Sequence, residues 1–389
     1  MPSISKKNQK SNTNSNITVK NKTKSKSKSK SKSPSKNKNS FILFGCWNSK
    51  FCNIDAQKNM NGMSSVMSKL YDKTTRTPDF YIIAGDNYYP KKSDDKKKKY
   101  FNNDDFESGM NCARKLQENA PVYMIMGNHD LDQNNKLYDV KDDKTKLDEC
   151  FITKKQKEYL NEFRMNILFT KLADHTLIIF LNTSLYSQNF EDVDRCIQHF
   201  NDLGGMSLSE VITYFETEID KIVKENNTGR IKNIILVGHH PLLSLRIKEK
   251  EKKGDIVITD TREPLRINGL NFLQRIYVQF PNASKYYLCA DVHQYQEVDI
   301  HIDGLNSLIK QYVVGTGGTD LDDKTCHNMF ENPTKMLTFE RAPNSILKYY
   351  PRMCDNKNYG YLECNSNSDG ELSFNFVETC SRKKCGAID

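Results

Sequence analysis

An α/β fold with buried sheets is predicted for this 389-residue chain by three observations. Short apolar runs of β type recur from Phe41 onward, helical stretches lie between them, and polar turns rich in Asp, Asn, His and Tyr follow many of the runs. A strand with one wet face alternates apolar and polar residues. These runs are apolar throughout, so both of their faces are expected to be covered by other layers.

The runs are "FILF" (41–44), "DFYIIA" (79–84), "PVYMIM" (121–126), "HTLIIFL" (175–181), "NIILV" (233–237), "KYYLCA" (285–290) and "QYVVG" (311–315). Between them "GMSSVMSKLYDK", "FESGMNCARKLQEN", "SLSEVITYFETEIDKIV" and "NGLNFLQRIYVQF" read as helices. Ser209, two residues after Ser207, opens the third, and acidic residues fill its early turns, where a helix N-terminus favours them. "YGYLECN" and "ELSFNFVET" close the chain as antiparallel strands. One segment breaks the rhythm: 91–105, "KKSDDKKKKYFNNDD", reads as a charged insertion loop without an apolar pattern. Residues 41–389 are therefore taken as one domain.

The formal charge of +9 is concentrated at one end. Residues 1–40 hold 12 lysines and no acidic residue, which leaves the other 349 residues at −3. This Ser/Lys/Asn tract has too little apolar surface to offset its ordering entropy and is expected to be disordered. It is either a solvated tail or an electrostatic contact for nucleic acid or another anionic surface. The first 40 residues lack the apolar core of a secretory signal, and no stretch approaches the ~20 apolar residues of a membrane span. A cytoplasmic or other intracellular setting is expected. The eleven cysteines show no paired CxxC spacing, and "CSRKKC" lacks a second pair for zinc, so most are expected to be reduced thiols.

The turns carry the chemistry. "GDNYYP" offers Asp86 and Tyr89, "GNHD" offers Asn128, His129 and Asp130, "GHHP" offers His239 and His240, and "DVHQY" offers Asp291 and His293. Donors at the C-terminal ends of sheet strands converge in α/β folds, and these side chains suit a two-metal centre in which one carboxylate bridges. His175, His199, His301 and His327 stand in no such context and read as structural.

The order "GCWN", "GDNYY", "GNHD", "GHHP", "ADVH", "VVGTGG" resembles the calcineurin-like metallophosphoesterases, and within them the small purple, tartrate-resistant acid phosphatases. The likeness runs from about Phe41 to about Asp320, with the closing strands consistent to about Glu378. It implies a four-layer αββα sandwich of two mixed sheets flanked by helices, with the metal site at one sheet edge. It further implies two divalent or trivalent metal ions (iron with iron, zinc or manganese) and a phosphorylated substrate attacked by a metal-bound hydroxide. Asp86 would bridge, Tyr89 would be the tyrosinate specific to the purple subgroup, Asn128 and His239 would hold the second metal, and His293 the first. His129 would stand over the phosphoryl group. His240, beside His239, is the second catalytic candidate.

Two blocks depart from the family pattern. "GCWN" places Cys46 where the family has aspartate, and "ADVH" places Asp291 where it has histidine. Both replacements can bind metal, the cysteine as a thiolate whose pKa two nearby cations would depress. Three functions fit: a phosphomonoesterase of purple acid phosphatase type, a catalytically impaired pseudophosphatase that binds a partner, or a phosphodiesterase or nuclease guided by the basic tail.

Overall fold

Phe41, Leu43, Phe80 and Ile82 point to one side of their strands and Ile42, Phe44, Tyr81 and Ile83 to the other, and all eight are buried. That double burial is why the runs are apolar at every position. The computed structural model describes residues 39–385 apart from 56–59, 73–76, 94–97, 132–136, 188–195, 198–205, 250–255, 261–264, 323–336 and 343–344. The lysine-rich segment 1–38, His199 and His327 lie outside the described residues.

In chain order the strands of the two large sheets are β1 (Ser40–Phe44), β2 (Phe80–Ile83), β3 (Val122–Met124), β4 (Phe169–Leu172), β5 (Thr176–Phe180), β6 (Asn233–Val237) and β7 (Ser284–Cys289). They continue as β8 (Tyr295–Ile302), β9 (Ile309–Val314), β10 (Leu337–Ala342), β11 (Ser345–Asp355), β12 (Asn358–Ser366) and β13 (Leu372–Ser381). One sheet has the order β13-β12-β1-β2-β3 and the other β10-β11-β8-β9-β7-β6-β5-β4. Both are mixed. β1, β2 and β3 run parallel, as do β5, β6, β7 and β9, whereas β12, β13, β8, β11, β10 and β4 join antiparallel.

Between the sheets, Phe41, Leu43 and Phe80 share a core with Ile178, Phe180, Val237, Leu288 and Val314. Tyr123 of β3 stacks on Phe180 of β5 at 5.4 Å, and Phe374 of β13 on Tyr312 of β9 at 4.5 Å, so aromatic pairs tie one sheet to the other. Full burial of such rings contributes about 1.5–3 kcal/mol each. The outer faces are covered by helices. In α1 (Gly62–Tyr71) Met63, Val66, Met67 and Leu70 form the buried stripe at helical spacing, and the Asn61 side chain caps Ser64 N at 2.8 Å. The other main helices are α2 (Asn103–Gln117), α3 (Phe151–Lys157), α4 (Leu208–Asn226) and α5 (Ile267–Val278). The expected mixed α/β sandwich is therefore the fold of the described residues. No helix among them is long and apolar enough to cross a membrane.

Three local expectations are corrected. Ser207, not Ser209, starts α4: its hydroxyl accepts from Glu210 N while the Glu210 side chain takes Ser207 N at 2.6 Å, a reciprocal capping box. Segment 91–105 is not a plain loop. Lys91–Lys92 pairs with Lys99–Phe101, and α2 begins at Asn103. The reason is aromatic: Phe101 and Phe106 pack on buried Tyr88 at 5.2 and 5.5 Å, anchoring a segment whose other residues are polar. The cysteines, lastly, are largely paired. Cys52–Cys112, Cys150–Cys196 and Cys380–Cys385 are disulfides, and Cys354 is disulfide-bonded as well. Partners 60 and 46 residues apart leave no spacing signal, and the "CSRKKC" pair closes on itself. Cys46, Cys289 and Cys364 are buried free thiols.

Candidate metal centre

Five strand ends supply the site. β1 is followed by Cys46, β2 by Asp86 and Tyr89, β3 by Asn128 and His129, β6 by His239 and His240, and β7 by Asp291 and His293. Cys46 N donates to Gly85 O at 3.1 Å and Ala290 N to His239 O at 2.9 Å, so neighbouring turns are stitched at the point where the strands stop. Cys46, Asp86 and Asp291 have φ of 54°, 54° and 60°, a left-handed backbone that side chains disfavour. Each such residue costs on the order of 1–3 kcal/mol and persists where its surroundings fix it. Gly85, at φ 86°, lies so close to the imidazole that an added Cβ would meet His239 Nδ1 at 2.6 Å.

Asp86 is at the centre. Its Oδ2 accepts from Tyr89 Oη at 2.5 Å and lies 3.9 Å from Cys46 Sγ, and Tyr89 Oη is also 3.1 Å from His293 Nε2. Its Oδ1 accepts from the His129 amide at 3.1 Å and lies 3.2 Å from His239 Nε2. That nitrogen is in turn 3.1 Å from Asn128 Oδ1 and 3.9 Å from Asp291 Oδ1. The two carboxylate oxygens thus face two different donor groups: Cys46, Tyr89 and His293 on one side, and Asn128, His239 and Asp291 on the other. Ligand atoms of Cys46, Asp86 and His293 lie within 4.8 Å of one another, a set of sulfur, oxygen and nitrogen donors that fits a transition-metal ion.

Backbone carbonyls aim both imidazoles. His239 Nδ1 is 2.7 Å from Ala84 O and His293 Nδ1 is 2.9 Å from Asp320 O, which leaves each Nε2 turned into the site. Burial opposes the charge on His239, but the Asp86 carboxylate, together with Asp291 and the Ala84 carbonyl, outweighs it and raises the pKa to about 10. Burial likewise opposes ionisation of Asp86, yet the His239 and His129 charges, with hydrogen bonds from His239 and Tyr89, hold it well below the usual carboxylate range. Burial and the Asp86 charge push the Cys46 thiol and the Tyr89 phenol upward, and burial lowers His293. In the metal-free protein Cys46, Tyr89 and His239 therefore hold protons that metal binding must displace, whereas Asp86 is already ionised.

His129 sits at the rim, partly buried, with its ring 4.7 Å from that of Tyr89. His240 is placed differently. Its fully buried ring packs edge-on behind His239 at 5.1 Å, its Nδ1 is 3.0 Å from Thr183 Oγ1, and its carbonyl accepts from Tyr287 Oη at 2.7 Å. Thr183 Oγ1 also accepts from both the His239 and His240 amides at 3.0 Å, so this trio fixes the turn that presents His239.

Asp130 received no role from the sequence, although it stands in "GNHD". Fully buried, its carboxylate accepts from Asn87 N at 2.8 Å, Asn87 Nδ2 at 3.1 Å, Gly127 N at 2.8 Å and Gln156 Nε2 at 2.7 Å. It joins the Asp86 turn to the Asn128 turn. Asn87 extends the link, taking Trp47 Nε1 at 3.3 Å and giving its amide to Ile125 O at 2.9 Å. The motif letters signal Asn87 and Asp130, but Gln156 comes from α3 and nothing in its neighbourhood announces it.

Residues 55–295 match the calcineurin-like phosphoesterase family, a span that begins after the Cys46 turn and ends two residues beyond His293. No curated protein matches the chain.

Proposed function

This chain belongs to the calcineurin-like phosphoesterase family, and from that premise we propose that it is a phosphomonoesterase of purple acid phosphatase type working at a two-position metal centre. The observation that carries the reading is the placement of Asp86, with Oδ2 toward Tyr89 and Cys46 and Oδ1 toward His239 and its neighbours. A carboxylate so placed can serve two cations at once. Metal ions bound there would supply Lewis acidity toward phosphoryl oxygens and acidify a water for attack on phosphorus.

The chain's own groups do the rest. Cys46, Tyr89 and His293 would hold the first ion, and Asn128, His239 and Asp291 the second, with Asp86 common to both. With Nδ1 directed at the carbonyls of Ala84 and Asp320, each imidazole would present Nε2 to a metal once any proton there is displaced. His129, tethered through its amide to Asp86 Oδ1, carries its ring at the rim, where it can hold a phosphoryl oxygen or give a proton to the departing one. Burial of Cys46, Asp86 and His239 excludes bulk water from the donor side and strengthens charge stabilisation there.

The test is a metal count on protein purified without chelator, with hydrolysis of a chromogenic phosphomonoester measured in Mn, Zn and Fe. About two metals per chain with phosphate release is expected. A protein that binds none overturns the reading, and one that binds metal without turnover is a pseudophosphatase.

A further inference from the structure

The glycine-rich segment after β9, "GTGGTDLD" (315–322), has no donor of its own in the site, yet it touches both ends of the first donor group. Gly317 N donates to Gly45 O at 3.0 Å and Thr319 N to Cys46 O at 3.0 Å, so the segment runs along the Cys46 turn and holds its backbone. A Cβ on Gly317 would meet Gly45 O at 2.5 Å and Trp47 Cβ at 2.9 Å, which explains why a residue without a side chain lies there. Three residues on, the chain reaches His293. Asp320 O faces His293 Nδ1 at 2.9 Å, Asp322 N donates to His293 O at 2.9 Å, and the Asp322 carboxylate accepts from His293 N at 3.2 Å. The imidazole and its backbone are therefore gripped at three points. The far side is anchored as well, because Thr316 Oγ1 donates to Gly360 O at 2.9 Å and Gly360 N returns to Thr316 O at 3.1 Å. At the surface Lys50 Nζ, on the Cys46 turn, lies 3.8 Å from Asp320 Oδ1.

Cys46 comes from β1 and His293 from the turn after β7, strands of different sheets, and no ladder fixes the distance between them. The geometry points to segment 315–322 as the clamp that sets that distance, with Asp322 as a positioning residue for the first metal position. The inference rests on the proposed two-position centre. It adds that the first position, unlike the second, depends on this clamp. The second group is held from outside the segment, with Asn128 meeting His239 directly and His239 held by Ala84 O and Thr183.

Cobalt(II) supplies a readout independent of turnover, because a cysteine thiolate bound to it gives a charge-transfer band. The full chain, stripped and titrated with cobalt, would be compared with Asp322→Ala, Asp322→Asn and Cys46→Ser. Asp322→Ala should weaken the thiolate-band equivalent by roughly 10–100-fold and leave the other equivalent unchanged, the usual scale for groups that orient a ligand. Asp322→Asn keeps an oxygen that accepts from His293 N and should restore affinity to within a few fold. Cys46→Ser should abolish the band and so identify it. Equal weakening of both equivalents, or an unchanged thiolate equivalent in Asp322→Ala, overturns the clamp alone. A wild type that takes up no cobalt overturns the metal-centre reading and the clamp with it. Should Asp322→Ala fail to fold, the asparagine variant still decides: loss of the thiolate equivalent there contradicts a role based on acceptor geometry.

Discussion

Replacing Asp86 with asparagine keeps the shape of the side chain and removes the charge that both donor groups face. In the metal-free protein that charge is what keeps His239 protonated while fully buried. Its pKa is raised to about 10 by the Asp86 charge and hydrogen bond, with Asp291 and the Ala84 carbonyl adding to them against burial, a net gain on the order of a few kcal/mol. A histidine pKa raised by folding stabilises fully below the unfolded value and loses that contribution as pH rises toward the folded one. The stability gap between wild type and Asp86→Asn should therefore be widest near pH 6, shrink as pH rises above about 6.5, and lose its histidine-linked part by about pH 10. At the acid end the depressed Asp86 pKa acts in the other direction, and its contribution fades as pH falls through and below the ordinary carboxylate range. Urea unfolding of chelator-treated protein from pH 5 to 10, disulfides intact, measures the gap. The same variant should lose metal from both positions. A gap that is flat with pH, or a variant that retains its full metal content, would refute the placement of this carboxylate between the two groups.

Iron-loaded protein should be coloured by tyrosinate charge transfer and Tyr89→Phe should lose that band in the visible spectrum. A colourless wild type with iron bound would sink the purple acid phosphatase assignment. Cys46→Ser should weaken the first metal roughly tenfold or more in a competition titration, while Cys46→Asp should bind with preference moved toward harder ions. Phosphatase activity confined to a Cys46→Asp, Asp291→His double variant would instead mark a dismantled site. Opening Cys52–Cys112 by serine substitution should cost about 4 kcal/mol from its loop of 60 residues, read as a lower unfolding midpoint; an unchanged midpoint would contradict the pairing.

The strands were legible because burial on both faces writes a continuous apolar run, and the turns because ligand-type residues crowd them. Helix α4 shows the limit. Its body follows from periodicity, but the choice of Ser207 over Ser209 depends on a side chain reaching back across three residues, which composition does not display. The ribbon within 91–105 escaped notice because its few aromatic anchors are outnumbered by lysines and aspartates. The donor atoms could be named one by one from the sequence. The family resemblance also divides them into a first and a second group about Asp86, but which carboxylate oxygen each group meets is visible only in the structure. The holders were less visible still: Gln156, Thr183 and Asp322 are ordinary residues far along the chain from the donors they position. Cysteine pairing was misread for the same reason, since separation in sequence carries no information on proximity in space.

The two departures from the family pattern bear on whether the centre works, and the backbone speaks to that. Cys46 and Asp291 sit at φ of 54° and 60°, and unsubstituted Asp86 between them at 54°. A left-handed backbone at a residue with a side chain costs free energy that glycine would largely spare. Glycine at either position would relieve the strain, although at Cys46 it would also leave a gap in the core between the sheets. Instead each carries a side chain that can donate to a metal. Cys46 Sγ is turned toward Asp86 Oδ2 and Asp291 Oδ1 toward His239 Nε2, both at 3.9 Å, so both donor atoms face the site. Strain retained at both substituted positions, with the donor atoms aimed inward, fits the proposed centre of altered metal preference, and the Cys46→Ser and double-variant measurements decide between that and a dismantled site.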